Sequence, residues 1–189
     1  MPSPEQKFFN GWGPFAFGMT FDDAVTAHPA VVWTADSLRA CRAELPVRGC
    51  VLEPAGGSAV RPTAGIALLP SLVINQAGTL AAIRLGQFLR GIERVQCERV
   101  HRRLSEHLVR TWGSPTASLP DPHDSSDGAV VGRQTFHAQA DGRRITLRSS
   151  YIGATGSVPG LCHLGILFRG PNRLQPPPEE HPNPLKNWS

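Results

Sequence analysis

IERVQCERVHRRLSEHLVRTW, running from Ile92 to Trp112, is the most regular stretch of the chain. Cys97, Val100, Leu104, Leu108 and Trp112 recur at three- and four-residue steps, so an α-helix gathers them into one apolar stripe. Gly113 ends that helix and Pro115 prevents its resumption. Glu98 with Arg102 and Glu106 with Arg110 stand at the spacing of exposed ion pairs. Seven arginines between Arg84 and Arg110 face only three glutamates, and a solvated outer face accounts for them better than an anionic partner does.

Working outward, the pattern on both sides changes from helical to alternating. Downstream, Arg133 to Ala140 and Arg143 to Ile152 flank Asp141-Gly142, a two-residue hairpin signal. Ile145 and Leu147 point one way while Arg144, Thr146 and Arg148 point the other. Leu161 to Phe168 alternates strictly, placing Cys162, Leu164, Ile166 and Phe168 on a core face. Upstream, Ile66–Leu69, Leu72–Asn75 and Thr79–Leu85 read as strands, with a hairpin closed near Gly78.

Toward the N-terminus, Phe8, Phe9, Trp12, Phe15 and Phe17 crowd into one short segment that reads as a first strand. Thr20 is placed to cap a short helix from Phe21 to His28, and Asp22 and Asp23 suit the positive end of its dipole. Ala30–Trp33 reads as a brief strand, and residues 36–62 lose periodicity and read as a long connection. The expectation is an α+β domain over residues 1–170, an antiparallel sheet packed by one long and one short helix. The order hints at two α-then-β halves. Prolines at 176–178, 182 and 184 predict a disordered or extended tail over 171–189.

Composition narrows the function classes. The chain has 189 residues, 40% hydrophobic and only 18% charged, which is the make-up of a folded domain. No apolar run approaches the roughly 20 residues of a membrane-spanning helix, so no integral membrane segment is expected. Met1–Asn10 does not resemble a signal peptide. The net charge is +4, yet basic residues alternate with glutamate and no stacking platform accompanies them, so nucleic acid is not an expected partner.

The four cysteines carry the most chemistry. Cys97 on the helix stripe and Cys162 on the last strand's core face are brought together if helix packs on sheet. Cys41 and Cys50 lie within one irregular segment. Two such bridges place the chain in an oxidising compartment, periplasmic or secreted, with its export signal outside this chain. The alternative is four reduced thiols in a cytoplasmic protein, and sequence does not choose among the three pairings. A zinc site from Cys97, His101, Cys162 and His163 is disfavoured, because adjacent Cys162 and His163 point to opposite faces of a strand. No metal and no cofactor are expected. No G-x-S-x-G, H-E-x-x-H, P-loop or dinucleotide motif occurs, so no catalytic residue is assigned. Asp121, His123, Asp124 and Asp127 read as a surface turn.

The phrase Phe17-Gly18-Met19-Thr20-Phe21-Asp22-Asp23-Ala24-Val25, the hairpin within Leu72–Leu85, the Cys97 helix ending at Trp112-Gly113-Ser114-Pro115, and the Cys162 strand together resemble small exported proteobacterial α+β accessory proteins. The opening phrase is similar to the helix start of the small lipoprotein of the outer-membrane protein assembly machine. The resemblance implies a non-enzymatic accessory or binding role in the bacterial cell envelope through an unidentified protein partner. Phe8, Phe9, Trp12, Phe15 and Trp188 are the expected contact residues. Two other readings stand beside it: a hydrolase or metal-dependent enzyme using His101, His137 or His163, and an immunity or inhibitor protein.

Overall fold

The computed structural model describes residues 9–45, 47–56, 58–63, 65–119, 129–157 and 159–175. Helices α1 (Phe21–Thr26) and α2 (Ala35–Glu44) precede strands β3 (Cys50–Leu52), β4 (Val60–Thr63), β5 (Ile66–Ile74) and β6 (Leu80–Arg90). Helix α3 (Arg94–Trp112) precedes β7 (Ala117–Leu119), β8 (Ala129–Phe136), β9 (Arg144–Ile152) and β10 (Leu161–Arg169). A two-stranded ribbon, β1 (Gly11–Trp12) and β2 (Phe15–Ala16), stands before them. The large sheet runs β3-β5-β6-β10-β9-β8-β7, with β4 also pairing β5, and every pairing is antiparallel.

Two helix-then-strand halves meet at the β6–β10 ladder. In each half a disulfide ties the helix to a strand: Cys41 of α2 to Cys50 of β3, and Cys97 of α3 to Cys162 of β10. Their Cα atoms are 5.2 and 5.7 Å apart, within the range a bridge requires. The α+β class, the long helix and both pairs thus stand as the sequence suggested.

All three helices lie on one side of the sheet. The strands' inward residues Leu72, Ile83, Leu85, Ile145, Leu147, Ile166 and Phe168 are buried there, against Leu104 and Leu108 of α3 and Phe15, Phe17 and Phe21. Burying one such side chain is worth about 1.5–3 kcal/mol, so this layer supplies most of the driving force. Thr20 caps α1 by accepting from the Asp23 amide at 3.2 Å. On α3, Glu98 pairs with Arg94 rather than with Arg102.

Several sequence expectations give way. Residues 36–62 are not one long loop. Thr34 caps α2 through the Ser37 amide, and β3 and β4 follow. Helix α2 buries only Cys41 fully, so it has no stripe to announce it. Ala30–Trp33 is no strand, contributing a single bridge from Trp33 to Pro54. The two runs around Pro70 form one strand, because Pro70 faces the gap between β4, paired at Ile66–Leu68, and β3, paired at Leu72–Ile74. A residue without an N–H is tolerated at such an unpaired position.

The Asp141-Gly142 turn exists, closed by the Gly142 amide on the Gln139 carbonyl, but the flanking strands end earlier, at Phe136 and Arg144. The body also extends past Gly170. Pro171 is buried, a 3-10 turn covers Asn172–Leu174, and the Gln175 side chain donates to the Ala81 and Gly170 carbonyls. The proline-rich run with Trp188, and Phe8, lie outside the described residues, as do Asp121, His123, Asp124 and Asp127.

Candidate functional site

A helix layer covers one face of the large sheet; among the described residues no helix contacts the other. Strands β5, β6, β8, β9 and β10 contain not one aspartate or glutamate, yet they carry six arginines: Arg84, Arg90, Arg133, Arg144, Arg148 and Arg169. Strand alternation and register put all six on this open face. Arg84 and Arg90 flank the outward Phe88 on β6, Arg169 pairs with Arg144, Arg148 with Arg133, and each has buried or inward neighbours on either side. Exposed apolar side chains share the surface: Phe88 at 63%, Ile152 at 48% and Leu69 at 38%.

Crowded together, these groups act on one another electrostatically. Burial, reinforced by the charge of Arg133, lowers the Arg148 guanidinium below its usual pKa. Arg169 is lowered in the same way by burial and by Arg144, and its Nε is buried without a hydrogen-bond partner. His163 is pushed below 6.5 by burial first and by Arg148 second, so it is neutral at pH 7. Its ring stacks on Phe88 with centroids 4.6 Å apart.

At the centre of this face two neighbouring strand residues carry no side chain. Gly86 and Gly165 are direct cross-strand partners on β6 and β10. Leu69 neighbours Gly86 on one side and Arg148 neighbours Gly165 on the other. Arg84 and Leu167 close one end of the bare patch; Phe88 and His163 close the other.

The expected contact residues fare unevenly. Phe9 and Phe15 are 3% and 1% exposed, so they serve the core and not a contact surface. The reason is the fold of the ribbon: Phe9 packs edge-on against Phe17 and Trp112, and Phe15 against Trp33. Trp12 is half-buried and, with Trp112 and the ribbon backbone, lines a shallow groove of about 400 Å³.

The histidines are dispersed. His101 Nδ1 lies 2.7 Å from Ser149 Oγ, a contact the sequence did not announce because its members are 48 residues apart. Ser149 is fully buried and faces the helix layer, with the His101 ring resting over Gly132. The contact satisfies the buried Ser149 hydroxyl, and burial lowers the pKa of the half-buried His101 below 6.5. His137 lies near Phe9 and Trp112 and contacts Gln139. His163 is on the face of β10 opposite Cys162, and the Cys97 and Cys162 sulfurs are joined to each other. Among the described residues no three His, Cys, Asp or Glu side chains gather to hold a metal.

Comparison with protein-family models, curated proteins and solved structures gives no match to this chain.

Proposed function

We propose that this chain is a binding protein of the bacterial cell envelope that engages a protein partner through the open face of its sheet. One observation carries the reading: six arginines and three exposed apolar side chains share one β surface that no helix covers among the described residues, and its five strands hold no acidic residue. Arginine and aromatic residues are the types enriched at protein interfaces, and lysine, which is depleted there, is absent from all five strands. Exposed apolar patches rimmed by polar residues mark interaction surfaces.

Two disulfides support the extracytoplasmic part, since such bonds persist in oxidising compartments. Among the described residues no helix is long and apolar enough to cross a membrane. The accessory role implied by the resemblance fits this reading, with the contact surface moved from the N-terminal aromatics to the sheet. An enzymatic reading lacks a comparable observation, because Ser149, the hydroxyl that meets His101, is itself fully buried.

The test is retention of a partner from an envelope extract of the source cells, comparing the wild-type chain with Arg84→Glu/Arg144→Glu. The reading expects one discrete protein to be retained by the wild type and lost with the double variant, at matched thermal midpoints. Equal retention by both would refute it.

A further inference from the structure

The described indoles differ in how they are satisfied. Trp33 is buried, and its Nε1–H donates to the Val25 carbonyl at 3.0 Å, as a buried indole requires. Trp12 and Trp112 are half-buried, both line the groove beside the ribbon, and among the described residues neither indole N–H meets an acceptor. Their rings are held from behind by the core, Trp112 against Phe9 and Trp12 tilted on Phe168. The exposed Asn10 brings a side-chain amide to the same groove. Among the described residues no carboxylate, lysine or arginine lines it. The groove thus offers aromatic surface together with hydrogen-bond donors that the body leaves unused.

A segment that complements such a groove is apolar, extended, rich in acceptors and poor in donors. Proline has those properties: it keeps its carbonyl, lacks an N–H, and its ring fixes φ near the polyproline II value. Aromatic-lined grooves recognise proline-rich segments in that conformation because little entropy is left to lose. This chain supplies one itself, with prolines at 176–178, 182 and 184. At about three residues per turn, positions 176 and 182 share one edge of a polyproline II helix, and 178 and 184 share another. We propose that the groove at Trp12 and Trp112 is a polyproline II docking site whose occupant is the run 176–184 of the same chain. Proline rings lie on the two indoles, and the indole N–H groups donate to carbonyls of the run.

The point where the described body ends favours an occupant from the same chain. Gln175, the last described residue, is tied down by its side chain, which donates to the Ala81 and Gly170 carbonyls. A Cβ on Gly170 would lie 3.0 Å from the Phe17 ring, that ring meets Phe9 with centroids 5.8 Å apart, and Phe9 lines the groove. Phe168, just before that glycine, carries the Trp12 ring at 6.3 Å. From this anchor a polyproline II run over 176–184 spans about 28 Å. A segment tethered so near is presented at roughly millimolar effective concentration, so a site that binds the free peptide only at millimolar strength is about half filled in the intact chain. The proposal does not depend on which face of the sheet meets a partner.

The test is photo-crosslinking within the full chain. A benzophenone amino acid replaces Asn10 or Ala16, both in the groove, or Val32, which is 62% exposed and outside it. After irradiation, trypsin cuts behind Arg173 and Lys186 and releases residues 174–186 as one peptide, on which mass spectrometry reads the attachment. An equal mixture of nitrogen-14 and nitrogen-15 protein separates crosslinks within a chain from those between copies. The comparison variant carries Pro176→Ser, Pro177→Ser, Pro178→Ser, Pro182→Ser and Pro184→Ser, which alter no groove residue. The proposal expects positions 10 and 16 to join residues 174–186 of the same chain at least fivefold more than position 32 does, and at least fivefold less once the prolines are serine. Equal yield from position 32, no crosslink to 174–186, a crosslink that survives the serine changes, attachment to residues 1–8 instead, or crosslinks only between copies would each overturn it.

Discussion

Replacing both members of each disulfide by alanine should destabilise the two variants unequally, and the structure says by how much. Cys97 and Cys162 are 65 residues apart in sequence, Cys41 and Cys50 only 9. Closing those loops in the unfolded chain is worth about 4.3 and about 2.6 kcal/mol in the chain-entropy account. The atoms removed are the same in both variants, and all four cysteines are buried, so the packing losses largely cancel. The remaining difference is about 1.8 kcal/mol, against a total stability on the order of 5–15 kcal/mol. Urea unfolding at pH 7.5, followed by far-ultraviolet circular dichroism, measures it. With a slope of about 2 kcal/mol/M, Cys97→Ala/Cys162→Ala should unfold roughly 0.9 M earlier than Cys41→Ala/Cys50→Ala. Equal midpoints, or the reverse order, would refute the argument that the long loop is what the α3–β10 bridge constrains.

The short bridge should instead act locally: Cys41 is the only residue α2 buries fully, so Cys41→Ala/Cys50→Ala should strip hydrogen-exchange protection from α2 while β6 and β10 keep theirs. Gly86→Ala and Gly165→Ala should each raise stability by about 0.5–1 kcal/mol in the same urea assay, and a fall would mean the space is not open. Gly132→Ala should cost about 1–3 kcal/mol, because the new Cβ displaces an imidazole held by Ser149, and a neutral outcome would show that the ring is free to move. His101 and His163 have folded pKa values below 6.5, so the unfolded chain binds more protons as pH falls. Stability from this source is complete above pH 6.5 and is lost on acidification toward the folded values; His101→Gln should flatten the dependence of the urea midpoint between pH 7.5 and 5.5, and an unchanged slope would remove His101 from that account.

The helix stripe of α3 and the alternation of β10 could be read directly, because each is long enough to carry a full period of buried side chains. Their agreement also brought Cys97 and Cys162 together on paper. Helix α2 is not legible in the sequence for a physical reason: its polar faces are solvated and a covalent bond replaces the apolar stripe. Around Pro70 the sequence reads as two runs, and only the gap between β3 and β4 explains how one strand carries a proline there. The N-terminal aromatics were visible as a cluster, but density alone does not say whether a cluster faces the core, and Phe9 and Phe15 do. For the open face, sequence supplied only fragments such as Arg144 and Arg148 on one side of β9. Its arginines come from four strands, and the pairing of Gly86 with Gly165 appears only when β6 and β10 are laid side by side.

Site-specific photo-crosslinking in the source cells addresses the docking claim most directly. A photoreactive phenylalanine analogue placed at Phe88, on the open sheet surface, is compared with the same group at Val109, exposed on the opposite helix layer. The account predicts one discrete crosslinked species from position 88 and none from position 109. The same species from 109 with nothing from 88 would contradict it.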